Sequence, residues 1–303
     1  MIKALYNYMR VQHLETWLTK GVYFGLACCF DDQREGHLTR QAVNALVEDM
    51  AREAHCLGNG PDDGTLARVG SLTHRMALAS KRQTFISCWH ENSAFSPRMS
   101  AMYGEGGVYI KTSNDRLIRS IRRELLMLLD PADGEQDPPF FEARYIPRLL
   151  APEAIKARMD LLSLVFHKNK RTRWEFQREH RLIVDASQIA VRTGIEVNGA
   201  QAVHGADHLR IDHAGLTVDF ETDGLVRHLY LQADPQVLAE EIGVIHPEHF
   251  DEVASLCGRL GLPSPRLVTD AEKLQRNDDT KNNEIDGMWL TDPPHKVSAE
   301  RHT

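Results

Sequence analysis

The chain lacks the features that would assign it quickly to a class. Its longest apolar run, GVYFGLACCF at Gly21–Phe30, is half of the roughly 20 residues a helix needs to cross a bilayer, and no basic segment with a cleavage site leads into it. The expectation is a buried strand and no membrane partner. Cysteine is scarce and odd in number: Cys28, Cys29, Cys56, Cys88 and Cys257 form no C-x-x-C pair and no even disulfide framework, so a reducing cytoplasm is the expected compartment. An excess of positive charge is also missing. The formal net charge is -7, which opposes non-specific nucleic-acid binding, so nucleic acid is not an expected partner and any anion site must be local. GEGG at Gly104–Gly107 has neither the Lys-Ser/Thr of a phosphate loop nor the spacing of a dinucleotide fingerprint, and reads as a tight turn.

What is present is an ordinary globular composition, 42% hydrophobic and 26% charged over 303 residues. LYNYM is an aromatic strand. Val11, Leu14, Trp17 and Leu18 follow at the helical period, and Gly21 stands where a helix ends before strand Val22–Leu26. Helices are expected over Arg40–His55 and Thr65–Ala79, and strands over Thr84–His90 and Val108–Thr112. Ser113 or Asn114 caps an amphipathic helix reaching Leu129. A strand at Phe141–Ile146, a helix from Pro152 to about Phe166 and a strand at Arg181–Asp185 follow. Beyond Gly194, HLRIDH, LTVDFE and GLVRHLYLQ alternate as antiparallel strands, and Phe250, Val253, Leu256 and Leu260 make a helical stripe. Without a regular βαβ repeat, the pattern predicts an α+β fold: a mixed, mainly antiparallel sheet with flanking helices. The expected organisation is a core over 1–190, C-terminal strands and a helix over 191–270 packed on it, and a polar tail over 271–303.

One stretch departs from the acidic background. FHKNKRTRWEFQREHRLIV, Phe166–Val184, carries six Lys or Arg against two Glu. As a strand it puts Glu175, Gln177, Glu179 and Arg181 on the face opposite Trp174, Phe176, Leu182 and Val184; as a helix it still leaves Glu175 and Glu179 co-facial. Co-facial carboxylates repel unless cations intervene, and Arg171, Arg173, Arg178 and Arg181 can supply the compensation. Elsewhere, Cys88 and His90 share a strand face as a possible thiol–imidazole pair, although a small buried cysteine is the commoner fate. His204, His208 and His213 would converge on a metal only in a helix, and Gly205 with the alternating LRID argues for a turn and a strand, so no metal is expected.

The combination of LYNYM, FDDQREG, SCWHENSAFSPRMSAMYGEGGVYIKT and FHKNKRTRWEFQREHRLIV resembles a bacterial domain family of unknown function. Its motifs are Y-R-Y, F-x-D-P-x-E, C-W-H with E-S-x-x-M-W-x-x-Y, and F-H-K-R with E-x-x-x-E-x-R. The resemblance covers about Leu5–Val184 and includes Cys88, Trp89, His90, Ser96, Met99, Tyr103, Phe166, His167, Lys168, Glu175, Glu179 and Arg181. It departs at Asn7, where the family has Arg, at Gln33 for Pro, at Phe95 for Glu and at Ser100 for Trp. The layout is similar, more loosely, to ADP-ribosyltransferase-type folds. That likeness implies NAD as substrate, with cleavage of its glycosidic bond or ADP-ribosyl transfer. It also implies Glu179 as the ribose-binding carboxylate with Glu175 second, Tyr103 as a stacking ring and His90 as a positioning group. Tyr6 and Asn7 on the first strand would hold the cofactor, and Lys168, Arg171 and Arg181 its phosphates. The competing expectation is a non-catalytic binding module whose Glu/Arg cluster is structural.

Overall fold

The computed structural model describes residues 4–30, 81–104, 107–129, 178–200 and 214–274. It also describes scattered helical positions between 52 and 75, and the backbone of short strands at 141–142, 144–146 and 169–171. The expected helix from 152 onward, the strand HLRIDH and the tail beyond 274 lie outside the described residues, and so do nearly all of the expected helices at 40–55 and 65–79.

The chain opens as its pattern predicts. Strand β1 (Ala4–Met9) leads into helix α1 (Val11–Lys20), which buries Leu14, Trp17 and Leu18, and then into β2 (Val22–Leu26). Gly21 ends the helix at φ 113°, and a Cβ there would lie 2.0 Å from the Leu231 carbonyl oxygen. Only glycine meets both conditions. Strands β3 (Thr84–Glu91) and β4 (Val108–Ser113) are joined by the one-turn helix α2 (Pro97–Met99) and a π-helical turn, Ser100–Gly104. Ser113 then caps α3 (Asn114–Ser120), its side chain accepting from the Arg116 amide.

The single helix expected through Leu129 is broken. Ile121 bridges to Ala233 and the Arg122 amide bonds the Gln232 carbonyl at 3.0 Å, so the chain restarts as a 3-10 helix at Arg123–Leu128. Tertiary hydrogen bonds take the backbone groups that the next helical turn would have used. The expected strand at Phe141–Ile146 is two pieces, β5 (Phe141–Glu142) and β6 (Arg144–Ile146), and β6 pairs in parallel with β7 (Asn169–Arg171). Strand β8 (Glu179–Asp185) begins two residues earlier than expected. Asp185 caps the helix α4 (Ala186–Thr193), which closes on Gly194 in the left-handed region.

Among the described residues, ten strands form the main sheet. The C-terminal segment supplies four of them, β9 (Leu216–Phe220), β10 (Val226–Leu231), β11 (Glu241–Val244) and β12 (Arg266–Leu267). Along its path the order is β12-β11-β4-β1-β3-β2-β10-β9, with β8 paired to β3 and β5. The segment at 191–270 therefore provides strands to both flanks of the sheet. It also provides the helices α5 (Pro235–Leu238) and α6 (Phe250–Arg259), and α7 (Asp270–Leu274) begins at its last residue and runs into the stretch expected as a polar tail. The sheet is mixed and mostly antiparallel with flanking helices, an α+β fold.

Strand β3 is the pivot. One edge pairs continuously with β8 from Thr84↔Asp185 to His90↔Glu179. The other edge is shared: Leu5 and Tyr6 of β1 pair with Glu91 and His90, whereas Gly25 and Leu26 of β2 pair with Ile86 and Phe85. Continued, the two registers would set both Tyr8 and Tyr23 opposite Cys88. Instead β1 turns to follow β4 and β2 turns to follow β10, so the sheet splits into two halves at the middle of β3. Helix α1 bridges the halves from behind, with Trp17 edge-on to Trp89 at 5.6 Å between ring centres.

Candidate functional site

The split opens a cleft of about 600 Å³. At its apex Asn7 takes over from the lost ladder: its Nδ2 donates to the Cys88 carbonyl at 2.8 Å. The short amide at this position thus closes a backbone carbonyl where β1 leaves β3.

On the β1/β3/β8 wall, Asn7, His90, Tyr103 and Glu179 all border this one cleft. The antiparallel register explains part of this, since His90 lies directly opposite Glu179 and Tyr6 opposite His90. The His90 ring stacks on Tyr103 with centres 5.3 Å apart and planes 24° apart, and Tyr8 lies 6.3 Å from it on another side. Tyr103 is 40% exposed on the π-helical turn, so the stack runs from the buried imidazole to the rim. Tyr8 accepts a hydrogen bond from the Ser96 amide at 2.9 Å, and burial pushes its phenol well above the ordinary range.

Glu179 borders the cleft while itself having no exposed surface. Arg181 Nε donates to its Oε1 at 2.9 Å and Nη2 to its Oε2 at 3.2 Å, and both side chains are 0% exposed. Two residues apart on one strand, they point to the same face, away from the core-facing Leu182 and Val184. A bidentate guanidinium fixes the carboxylate's plane. Arg178, just before it, has φ 39°, a strained value for a residue other than glycine, and its carbonyl accepts from the Glu91 amide at 2.9 Å.

Two expected ligand-holding residues have different places. Tyr6 is packed with Tyr8 and Tyr109 in a separate aromatic cluster rather than along the cleft, and burial followed by the Glu241 charge pushes its phenol up to about 12. Tyr6 shares a strand face with Tyr8, which does border the cleft, but Tyr109 packs against it with ring centres 5.5 Å apart. Arg181 is a partner of Glu179 beneath the surface, not a phosphate ligand at the mouth. Lys168 and Glu175 lie outside the described residues, and Arg171 is described only as backbone in β7.

The other wall carries residues to which no local sequence pattern pointed. Tyr23 from β2 and His228 and Tyr230 from β10 line it, with Trp17 of α1 behind Tyr23 at 6.0 Å. Arg10 and His13 border the cleft at the start of α1, and burial, Arg10 and His228 lower the His13 pKa. Tyr23 and His228 are 205 positions apart and meet only through strand pairing, so periodicity could not have found them.

Among the described residues, no group of three or more His, Cys, Asp or Glu converges as a metal site, and no helix is long and apolar enough to cross a membrane. His204, His208 and His213 lie outside the described residues. No family model, curated protein or solved structure matches the chain.

Proposed function

We propose that the cleft binds a nucleotide and that the protein cleaves the glycosidic bond of NAD, by hydrolysis or ADP-ribosyl transfer, with Glu179 as the central carboxylate. The observation that carries this reading is the convergence of Glu179, His90, Tyr103 and Asn7 on one cleft from three strands and a turn. As nicotinamide leaves, the ribose becomes oxocarbenium-like. A fixed carboxylate beside it stabilises that charge and accepts a hydrogen bond from a ribose hydroxyl. Arg181 supplies the countercharge and orientation. Tyr103, half exposed at the rim and stacked on His90, offers a face for a planar ring. On this reading the chain belongs with the bacterial family that its motifs resemble, and it acts in the cytoplasm, where the free thiols of Cys28, Cys29, Cys88 and Cys257 persist.

A second reading is favoured by one observation, the complete burial of both Glu179 and Arg181. In that case the pair is a structural ion pair and the cleft a binding module. Nicotinamide release from NAD separates the two. Wild type should release it, and Glu179→Gln, which keeps the side-chain size, should lose release by ~10²- to 10³-fold with an unchanged circular dichroism spectrum. Tyr103→Ala should raise KM. Absence of release from wild type at saturating NAD would leave the binding module as the reading that stands.

A further inference from the structure

The wall facing away from β8 holds a hydrogen-bonded phenol and imidazole with no part in the chemistry assigned to Glu179. Tyr23 Oη lies 2.8 Å from His228 Nδ1, the rings are 5.5 Å apart, and both residues border the cleft. On the far side of the imidazole, Glu221 Oε1 is 3.9 Å from Nε2. That distance is too long for a hydrogen bond and Glu221 Oε2 pairs with Arg227 at 2.8 Å, but the carboxylate's charge still favours the proton on Nε2, the tautomer that leaves Nδ1 to accept the phenol's proton. The position is tightly built: a Cβ at Gly25 would come 3.1 Å from Tyr23 Oη and 3.4 Å from the Phe30 ring, so glycine keeps the phenol over His228. The Tyr23 pKa is raised by burial first and then by Tyr230, Cys29 and Cys88, which makes a free phenolate costly. Any proton that Tyr23 gives up must therefore be replaced in the same step.

Resting on the NAD-cleavage reading, we propose that Tyr23 and His228 form the proton-accepting relay for the attacking nucleophile, and that this nucleophile is water. The water oxygen bonds to the ribose C1′ while the C–N bond breaks and its electron pair leaves with nicotinamide as a neutral molecule. The water proton passes to Tyr23 Oη as the phenol's own proton passes to His228 Nδ1. The imidazolium so formed faces Glu221, and His228, with 41% of its side chain exposed, returns the proton to solvent. Tyr23 touches the nucleophile and is catalytic; His228 acts through it and is a positioning and proton-holding residue.

Tyr23→Phe keeps the ring against Trp17 and Tyr230 and removes only the hydroxyl. Steady-state nicotinamide release should show kcat down ~10²-fold in Tyr23→Phe and in His228→Gln, with KM unchanged and the double variant no worse than either single one. Full kcat in Tyr23→Phe, while Glu179→Gln is inactive, overturns the relay and leaves NAD cleavage standing. No release from wild type at saturating NAD overturns both. Independently of activity, nitrogen NMR of wild type should find His228 protonated at Nε2 and bare at Nδ1. The opposite tautomer would rule out the donation from Tyr23 on which the relay depends.

Discussion

Ion pairs at the two sides of the cleft are held under opposite conditions. On the β8 wall, Arg181 and Glu179 are both 0% exposed. Beside the β10 wall, Lys20 of α1 and Asp219 of β9 pair at 3.0 Å with each side chain 40% exposed, and Lys20 also lies 5.1 Å above the Tyr230 ring that lines that wall. Similar distances carry different energetics. Water screens the exposed pair and takes over when it breaks, whereas the buried pair has already been desolvated, so each member depends on the other. The buried wall suits a charge that must stay fixed. The wetter wall, with Tyr23 and His228, suits a proton that must move.

The sharpest break in this comparison is Arg181→Ala, which strands a buried carboxylate. We expect a loss of about 3–5 kcal/mol in urea denaturation, and much of it should return when Glu179 is also replaced by an apolar residue of similar size. Alkali probes both halves of the sheet at once. Burial raises the pKa values of Tyr8 and, on the other wall, of Tyr23 and Tyr230, and it takes Tyr6, behind the first wall, up to about 12. The folded values lie above the unfolded value of about 10, so this contribution is complete below about pH 10 and is lost as pH rises toward the folded values. Denaturation midpoints should therefore fall as pH rises from about 10 toward about 12, with phenolate absorbance from these rings appearing as the protein unfolds. The smallest effect belongs to Lys20→Ala, about 0–1 kcal/mol in the same denaturation assay and weaker still at high salt. A large loss there would mean that the two walls are not energetically distinct.

Local pattern was enough where one segment decides its own state. The stripe Leu14, Trp17 and Leu18, the glycine at 21 and the apolar β2 were all legible, and the cap read as Ser113 or Asn114 is Ser113. The alternation in EHRLIV correctly separated Glu179 and Arg181 from Leu182 and Val184. Helix α4 went unread although Asp185 and Gly194 bracket it, because its eight residues span little more than two turns and show too short a stretch of the helical period. The helix expected through Leu129 failed for a different reason, the pull of Gln232 and Ala233 on residues 121 and 122.

Taken alone, the sequence determined which residues could carry charge or pack, because side-chain chemistry and the strand and helix periods are local properties. It set Glu179 beside Arg181 and marked His90 and Tyr103 as functional candidates. Only the tertiary structure decided that β1 and β2 share one edge of β3 and then part. That divergence makes the cleft, turns Tyr6 into packing and leaves Arg181 buried. It also brings His228 to Tyr23, since pairing between distant strands depends on which edges remain free once the sheet has formed.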